Sequence, residues 1–246
     1  MYEVIVLGAT FLSAGIAQTM GGSCLVLERR TQAFYEFTGA LNFGTSYDKK
    51  LVSEEAENFR KIFEERNVFA NDRVCLFEIS APSYKFFEGK NILFNTEIIS
   101  IEKEENCFVC TTHGADGFNK FKAKRIVDTR VSDSMCDKKT YNILLHSDNG
   151  IDSDSEIKKW GRENNFVMRC PVDLNDNYYQ ARQKAKEIIE KLPEDTKAVL
   201  LAESFDYQVK SDYPKIENSI VYMPSKAYEN PLLSFDAGVC YGKEIK

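Results

Sequence analysis

At 246 residues, with 43% hydrophobic and 28% charged side chains, the chain has the make-up of a globular protein, long enough for one large domain or two unequal ones. Lys and Arg total 32 against 38 Asp and Glu, a net charge of −6 with no basic block, which argues against sequence-independent nucleic-acid binding. No apolar run approaches the roughly 20 residues of a membrane span, so no membrane partner is expected. The opening Met1-Tyr2-Glu3-Val4 has an acid where a secretion signal carries Lys or Arg, and the expected location is cytoplasmic.

Residues 2–8 are a short apolar run ending in Gly8, the pattern of a buried parallel strand that stops at a tight turn. A helix follows over 10–20, with Leu12, Ile16 and Ala17 on one side. A second buried strand over 23–28 ends in Glu28, completing a β-α-β unit with a short crossover. The stretch 31–50 mixes aromatic residues with turn formers and reads as an ordered loop. Its Phe34, Tyr35, Phe37 and Phe43 are expected in the core rather than against a ligand. Residues 53–66 read as an amphipathic helix: Ser53 caps it, Glu54 and Glu55 suit its positive end, and Ala56, Phe59 and Phe63 form the stripe.

Residues 72–80 are strand-like. Residues 91–101, 106–112 and 118–128 read as a small antiparallel meander with a turn at 114–117, leading into the buried run Ala123–Asp128. Beyond 135, strands are expected at 141–147 and 165–171, and a helix at 176–191. That helix places Tyr178, Ala181, Ala185, Ile188 and Leu192 on one face, with Pro193 as its stop. A β-rich run at 197–209 and a short strand at 219–223 complete the chain.

The seven cysteines are an odd number scattered through apolar runs, so no disulfide framework is expected. Cys107 and Cys110 are three apart in an alternating strand and face opposite sides of it, which suits packing better than metal or redox chemistry. His113 and His146 have no cysteine at ligand spacing, and no metal site is expected. No nucleophile, base and acid can be assembled, and catalytic residues stay unassigned. Asp128 is expected to cap the turn after its strand or to serve the site.

The strongest chemical signal is the opening unit. Glu28 lies 20 residues after Gly8, the spacing of a Rossmann-type dinucleotide site. There a helix N-terminus faces a diphosphate and a carboxylate at the end of the second strand binds the ribose hydroxyls. Where G-x-G-x-x-G is expected, the chain reads Gly8-Ala9-Thr10-Phe11-Leu12-Ser13. Ser13 is small, but the branched Thr10 stands where bare backbone would approach the ligand. This segment is compatible with nucleotide binding and with a merely structural β-α-β unit.

Four segments in order carry a resemblance. Val4–Gly8 through Cys24–Arg30, Asn91–Ile101, Phe121–Thr129 and Tyr222–Gly238 resemble FAD-dependent oxidoreductases of the glutathione-reductase-like FAD/NAD(P)-binding superfamily. The resemblance implies an α/β fold: a Rossmann-like domain, with a parallel sheet plus a small antiparallel meander, over 1–137 and 214–246. A reduced α+β insert of substrate type would occupy 138–213.

It also implies FAD as cofactor. Gly8, Ala9, Thr10, Phe11, Leu12 and Ser13 would lie on its diphosphate and Glu28 on its ribose. Arg29 and Arg30 would lie near adenine or a phosphate, and Thr38, Gly39, Ala40 and Leu41 near the ribityl chain. Glu97 and Ile98 would offer backbone groups to adenine, Thr129 would take part in the turn near the flavin, and Gly238 would close the site from the C-terminal side. Thr129-Arg130-Val131 lacks the glycine of the family's A-T-G turn; with Thr10 and Ser13, this departure weighs against tight FAD binding.

The implied activity is hydride transfer between a small-molecule substrate and flavin. The alternative is a cofactor-free homologue that acts as a binding or assembly partner, in a homo-oligomer or with another subunit. An NAD(P)-dependent enzyme is disfavoured, because the meander interrupts the regular β-α repeats such a sheet would continue.

Overall fold

The computed structural model describes residues 1–70, 73–74, 78–79, 83–152, 157–160, 164–192, 196, 199–210 and 212–246. It opens with β1 (Tyr2–Leu7), α1 (Phe11–Met20) and β2 (Cys24–Leu27), as expected. The helix is more deeply set than a one-sided stripe implies: every residue except Gln18 and Thr19 is buried. A sheet covers one side of it and α4 (Pro231–Ile245) the other.

The larger sheet runs, among the described residues, β13 (Lys215–Glu217), β14 (Ile220–Tyr222), β8 (Gly117–Asp128), β1, β2 and β5 (Asn91–Leu93). β1 pairs in parallel with β2 and β8, β2 with β5, and β14 with β8. The first half of β8 pairs antiparallel with β7 (Phe108–Gly114), which pairs with β6 (Glu97–Lys103). One twelve-residue strand therefore belongs to both the meander and the parallel core. The run expected over 91–101 is two strands. β5 joins the parallel sheet beside β2, and only β6 belongs to the meander; Asn95, at φ 51°, turns the chain between them.

The second sheet orders β12 (Val199–Val209), β9 (Cys136–His146), β11 (Asn165–Val172), β10 (Ile157–Trp160), β4 (Arg73–Val74) and β3 (Phe69–Ala70). β9 starts five residues before the expected 141, because its pairing with β12 continues to Cys136. Of the expected strand 72–80, β4 is a strand, 78–79 are helical, and 72, 75–77 and 80 lie outside the described residues. The outer face of this sheet packs on α3 (Tyr178–Ile189) through Tyr141, Ile143, Phe166, Met168, Ala181 and Ala185. Asn177 caps that helix; Pro193, its expected stop, lies outside the described residues.

The inner face turns toward the loop after β2, where Asn142 Nδ2 donates to Ala40 O at 2.9 Å. Three of that loop's aromatic residues hold it, as expected, while Tyr35, also expected in the core, is half-buried with the Arg30 guanidinium 4.4 Å over its ring. Phe34, Phe37 and Phe43 are buried, and Phe11 of α1 stacks on Phe34 with centroids 4.3 Å apart.

α2 (Glu54–Glu65) forms as read, with Ser53 as N-cap and Ala56, Phe59 and Phe63 buried. Asp236 of α4 supports its start: its carboxylate accepts from Val52 N (2.7 Å), Ser53 N (2.8 Å) and Ser53 Oγ (2.6 Å). α4 itself begins with Asn230 as cap and Pro231 in its first turn. Gly238 is thus inside a helix. A Cβ on it would lie 2.0 Å from Leu12 O, and one on Gly15 2.2 Å from Phe235 O. α1 and α4 touch backbone to backbone there, which only glycine permits.

Candidate dinucleotide site

In chain order the strands run from β1 outward through β2 to β5, then return to the other side of β1 as β8 and β14. The sheet therefore changes direction between β1 and β8, and ligands of open α/β sheets bind at the carboxyl ends of strands at such a point. A cavity of about 480 Å³ lies there, lined by Ala9 and Thr10 after β1, Glu28, Arg29 and Arg30 after β2, and Asp128 through Ser132 after β8. Tyr35, Glu36 and Ala40 of the loop, Met135, Phe205, Asp206 and Tyr207, and Tyr222 and Lys226 form the rest of the wall.

The strand ends are tied together by backbone. Gly8 N donates to Leu27 O (2.8 Å), Thr129 N to Leu7 O (3.0 Å) and Ser225 N to Thr129 O (2.9 Å). Gly8 sits at φ +94°, a conformation L side chains rarely adopt, and the Arg130 stem crosses directly above it. Asp128 accepts from Arg130 N at 3.0 Å and holds the guanidinium through Nε (2.9 Å) and Nη2 (2.8 Å). It thus serves both the turn and the cavity.

Four N–H groups at the front of α1, those of Ala9, Thr10, Phe11 and Ser13, are engaged by side chains. Ala9 N donates to Glu28 Oε2 at 2.8 Å, while Arg30 N donates to Glu28 Oε1 at 2.8 Å. Thr10 N donates to Ser13 Oγ (2.8 Å) and Ser13 N to Thr10 Oγ1 (3.1 Å), a reciprocal capping box. Thr10 Oγ1 in turn donates to Thr129 Oγ1 at 2.9 Å, which fixes the hydroxyl toward the strand ends.

Phe11 N donates to Glu36 Oε1 at 2.8 Å. Ser225 Oγ donates to the same oxygen at 2.8 Å and accepts from Ser234 Oγ at 2.7 Å. Burial pushes the Glu36 carboxyl up to about 7, against the pull of the Phe11 and Ser225 hydrogen bonds and the charge of Lys226. Lys226 Nζ is 3.1 Å from Asp206 Oδ1, a buried pair, and Asn42 Nδ2 donates to Asp206 Oδ2 at 2.6 Å.

Of the residues expected at a cofactor, Ala9, Thr10, Glu28, Arg29, Arg30, Ala40 and Thr129 come together around the cavity. Gly8 and Ser13 are not in its lining and act through the turn and the cap beside it, and the Phe11 N–H donates to Glu36 while its ring packs inward. Leu12 and Gly238 meet at the α1–α4 contact instead. Gly39 packs on Tyr35, Leu41 is buried under Asn142, and Glu97 and Ile98 start β6 off the cavity wall.

Sequence reasoning missed Glu36, Asp206 and Lys226. Glu36 left a signal: it is the sole charged residue in the aromatic stretch 31–47. A second cavity of about 590 Å³ lies on the other side of Asp206, lined by Lys138, Lys139, Arg169 and Pro171 among others. Arg169 Nε is buried there without a hydrogen-bond partner.

No protein-family model matches the chain, and no curated protein matches it by sequence. Solved structures are similar to it over nearly its whole length. p-Nitrophenol 4-monooxygenase PnpA from Pseudomonas putida DLL-E4 is similar at TM-score 0.66 and 12% identity, over 99% of this chain and 77% of that one. Glycine oxidase from Geobacillus kaustophilus is similar at 0.60 and 11%, over 99% and 94%. Aklavinone-11 hydroxylase, solved as a ternary complex with FAD and aklavinone, is similar at 0.58 and 14%, over 98% of this chain and 61% of its own length. The fold is the FAD/NAD(P)-binding Rossmann-like fold with a second antiparallel sheet. Among the described residues no helix is long and apolar enough to cross a membrane.

A dinucleotide such as FAD can be tested against this cavity from end to end. Glu28, Arg29 and Arg30 suit an adenosine end. Met135, Phe205, Tyr207 and Tyr222 offer a more apolar, aromatic wall at the other. The middle is different: the Phe11 N–H already donates to Glu36, so a diphosphate oxygen that used this donor would take the carboxylate's place.

Proposed function

We propose that this protein is a flavin-dependent oxidoreductase that binds FAD along the cavity at the ends of β1, β2 and β8. The observation that carries the reading is the position of that cavity at the sheet's reversal point, with Glu28 at the end of β2. Glu28 would hold the ribose and Arg29 or Arg30 the adenine end. The α1 terminus would face the diphosphate, and the wall formed by Phe205 and Tyr207 would cover the ring. Bound there, the flavin supplies the hydride chemistry, so the absence of an assembled nucleophile and base among the side chains is no obstacle. The substrate would be a small molecule, and the second cavity, lined by Lys138, Lys139 and Arg169, would suit an anionic group.

A second reading is a cofactor-free protein of the same fold that acts as a binding partner. It is favoured by the side-chain acceptors already on Ala9, Thr10, Phe11 and Ser13 N–H. Purified protein absorbing at about 450 nm and releasing FAD on denaturation supports the first reading. A colourless preparation that takes up no added FAD at pH 6 or pH 8 overturns it and leaves the second.

A further inference from the structure

We propose that Glu36 is the chain's own occupant of the diphosphate position and that a dinucleotide enters the cavity only by exchanging with it. The inference rests on the reading above and adds the residue that decides what the site accepts. A helix N-terminus attracts one anion, through its free N–H groups and its partial positive charge. Here the anion is internal. Glu36 reaches Phe11 N at 2.8 Å, and Ser225 holds the same oxygen from the other side.

The carboxyl is placed there by the fold rather than by adventitious rotation. Phe34 and Phe37, on either side of it in sequence, are fully buried, and Phe34 stacks on Phe11. Ser225 is fixed by its own backbone bond to Thr129 O and by Ser234. A phosphate oxygen that takes the Phe11 N–H must displace Glu36 Oε1, because both need the same donor. A charged Glu36 left nearby would also repel it in a half-buried setting.

The exchange is therefore coupled to the charge on Glu36. Lys226, from the turn at Ser225–Ala227, is the charge that acts on it; Asp206 of β12 pairs with Lys226, Glu28 sits on the adjacent Ala9 N–H, and Arg29, Arg30, Asp128 and Arg130 line the same cavity. Lys226 is committed to Asp206 at 3.1 Å and is not free to neutralise Glu36 fully. With its carboxyl titrating near 7, Glu36 is mostly neutral at pH 6 and mostly charged at pH 8. If only the neutral form yields its place, the competent fraction falls about tenfold across that range, and the apparent affinity falls with it.

The test is equilibrium titration with FAD, followed by flavin fluorescence, on wild type, Glu36→Gln and Ser225→Ala at pH 6 and pH 8. Wild type is expected to bind FAD about tenfold more tightly at pH 6 than at pH 8. Glu36→Gln keeps a side chain of the same size without the charge. It should bind at pH 8 about as tightly as wild type does at pH 6, with no pH dependence of its own. Ser225→Ala removes one of the two hydrogen bonds on Glu36, so it should tighten binding at pH 8 and serves if Glu36→Gln fails to fold. Measurable FAD binding that is equal in all three proteins and flat with pH overturns the exchange while leaving the cofactor reading intact. No FAD binding by any of them at either pH overturns the cofactor reading, and the exchange with it.

Discussion

The flank and the front of α1 solve opposite problems with different residue types. On the flank, Gly15 meets Gly238 of α4, and a Cβ on either would fall within 2.2 Å of the other helix's backbone. At the front, where a dinucleotide loop of this fold carries glycines, the chain has Thr10 and Ser13, and their side chains cap each other's N–H groups. Glycine stands where protein backbone must touch protein backbone, and polar side chains stand where only a ligand would need the room. The difference shows that close packing of α1 does not require an open front, and that four of the N–H groups there already have acceptors within the chain.

Gly238→Val tests the flank. It forces apart two helices in backbone contact, so a loss of about 3 kcal/mol or more is expected, read as a fall in the urea midpoint or as failure to recover folded protein. A Gly238→Val protein as stable as wild type would mean that the helices do not meet there.

Thr10→Gly probes the front. It removes the cap on Ser13 N, at a few tenths of a kcal/mol, and the buried hydrogen bond to Thr129, at about 1 kcal/mol. It should raise FAD affinity by opening the loop. Loss of stability with unchanged FAD affinity would confine Thr10 to a capping role.

The pH dependence of stability probes Glu36 itself. The Glu36 carboxyl is raised from 4.5 to about 7 in the folded protein, so between those values the folded state holds a proton that the unfolded state has lost. This contribution therefore falls as pH rises from about 4.5 to about 7 and is flat above. Melting curves from pH 5 to pH 8 should show the wild-type Tm declining relative to that of Glu36→Gln. Parallel curves would mean that the carboxyl is not buried as described.

Much of the fold was legible because its signals are local. β1, α1 and β2 follow from apolar runs separated by Gly8 and a short crossover, and α2 from its cap and stripe. The meander was readable as alternation, but the split between β5 and β6 was not, since both halves are apolar and only pairing with β2 or β7 separates them. α4 was not among the expected elements, although Asn230 caps it and Pro231 opens it, and its Gly238 suggested a ligand contact. A glycine required by a ligand and one required by a neighbouring helix look alike until the partner is known.

The candidate site divides in the same way. Glu28 was visible from its distance to Gly8, because a β-α-β unit of fixed length brings the ends of its two strands together. Glu36, Asp206 and Lys226 have no such fixed spacing. Asp206 reaches the cavity from the second sheet, and Lys226 from a turn that follows β14.

The sequence alone determined the parallel opening unit, the meander and the carboxylate at the end of β2, since each depends on neighbours a few residues away or on one crossover of standard length. Only the tertiary structure decided what fills the front of α1. That depended on the loop after β2 folding back on the helix and on Ser225 arriving from the far end of the chain. Contacts between segments 189 residues apart in sequence are set by packing, which no local pattern encodes.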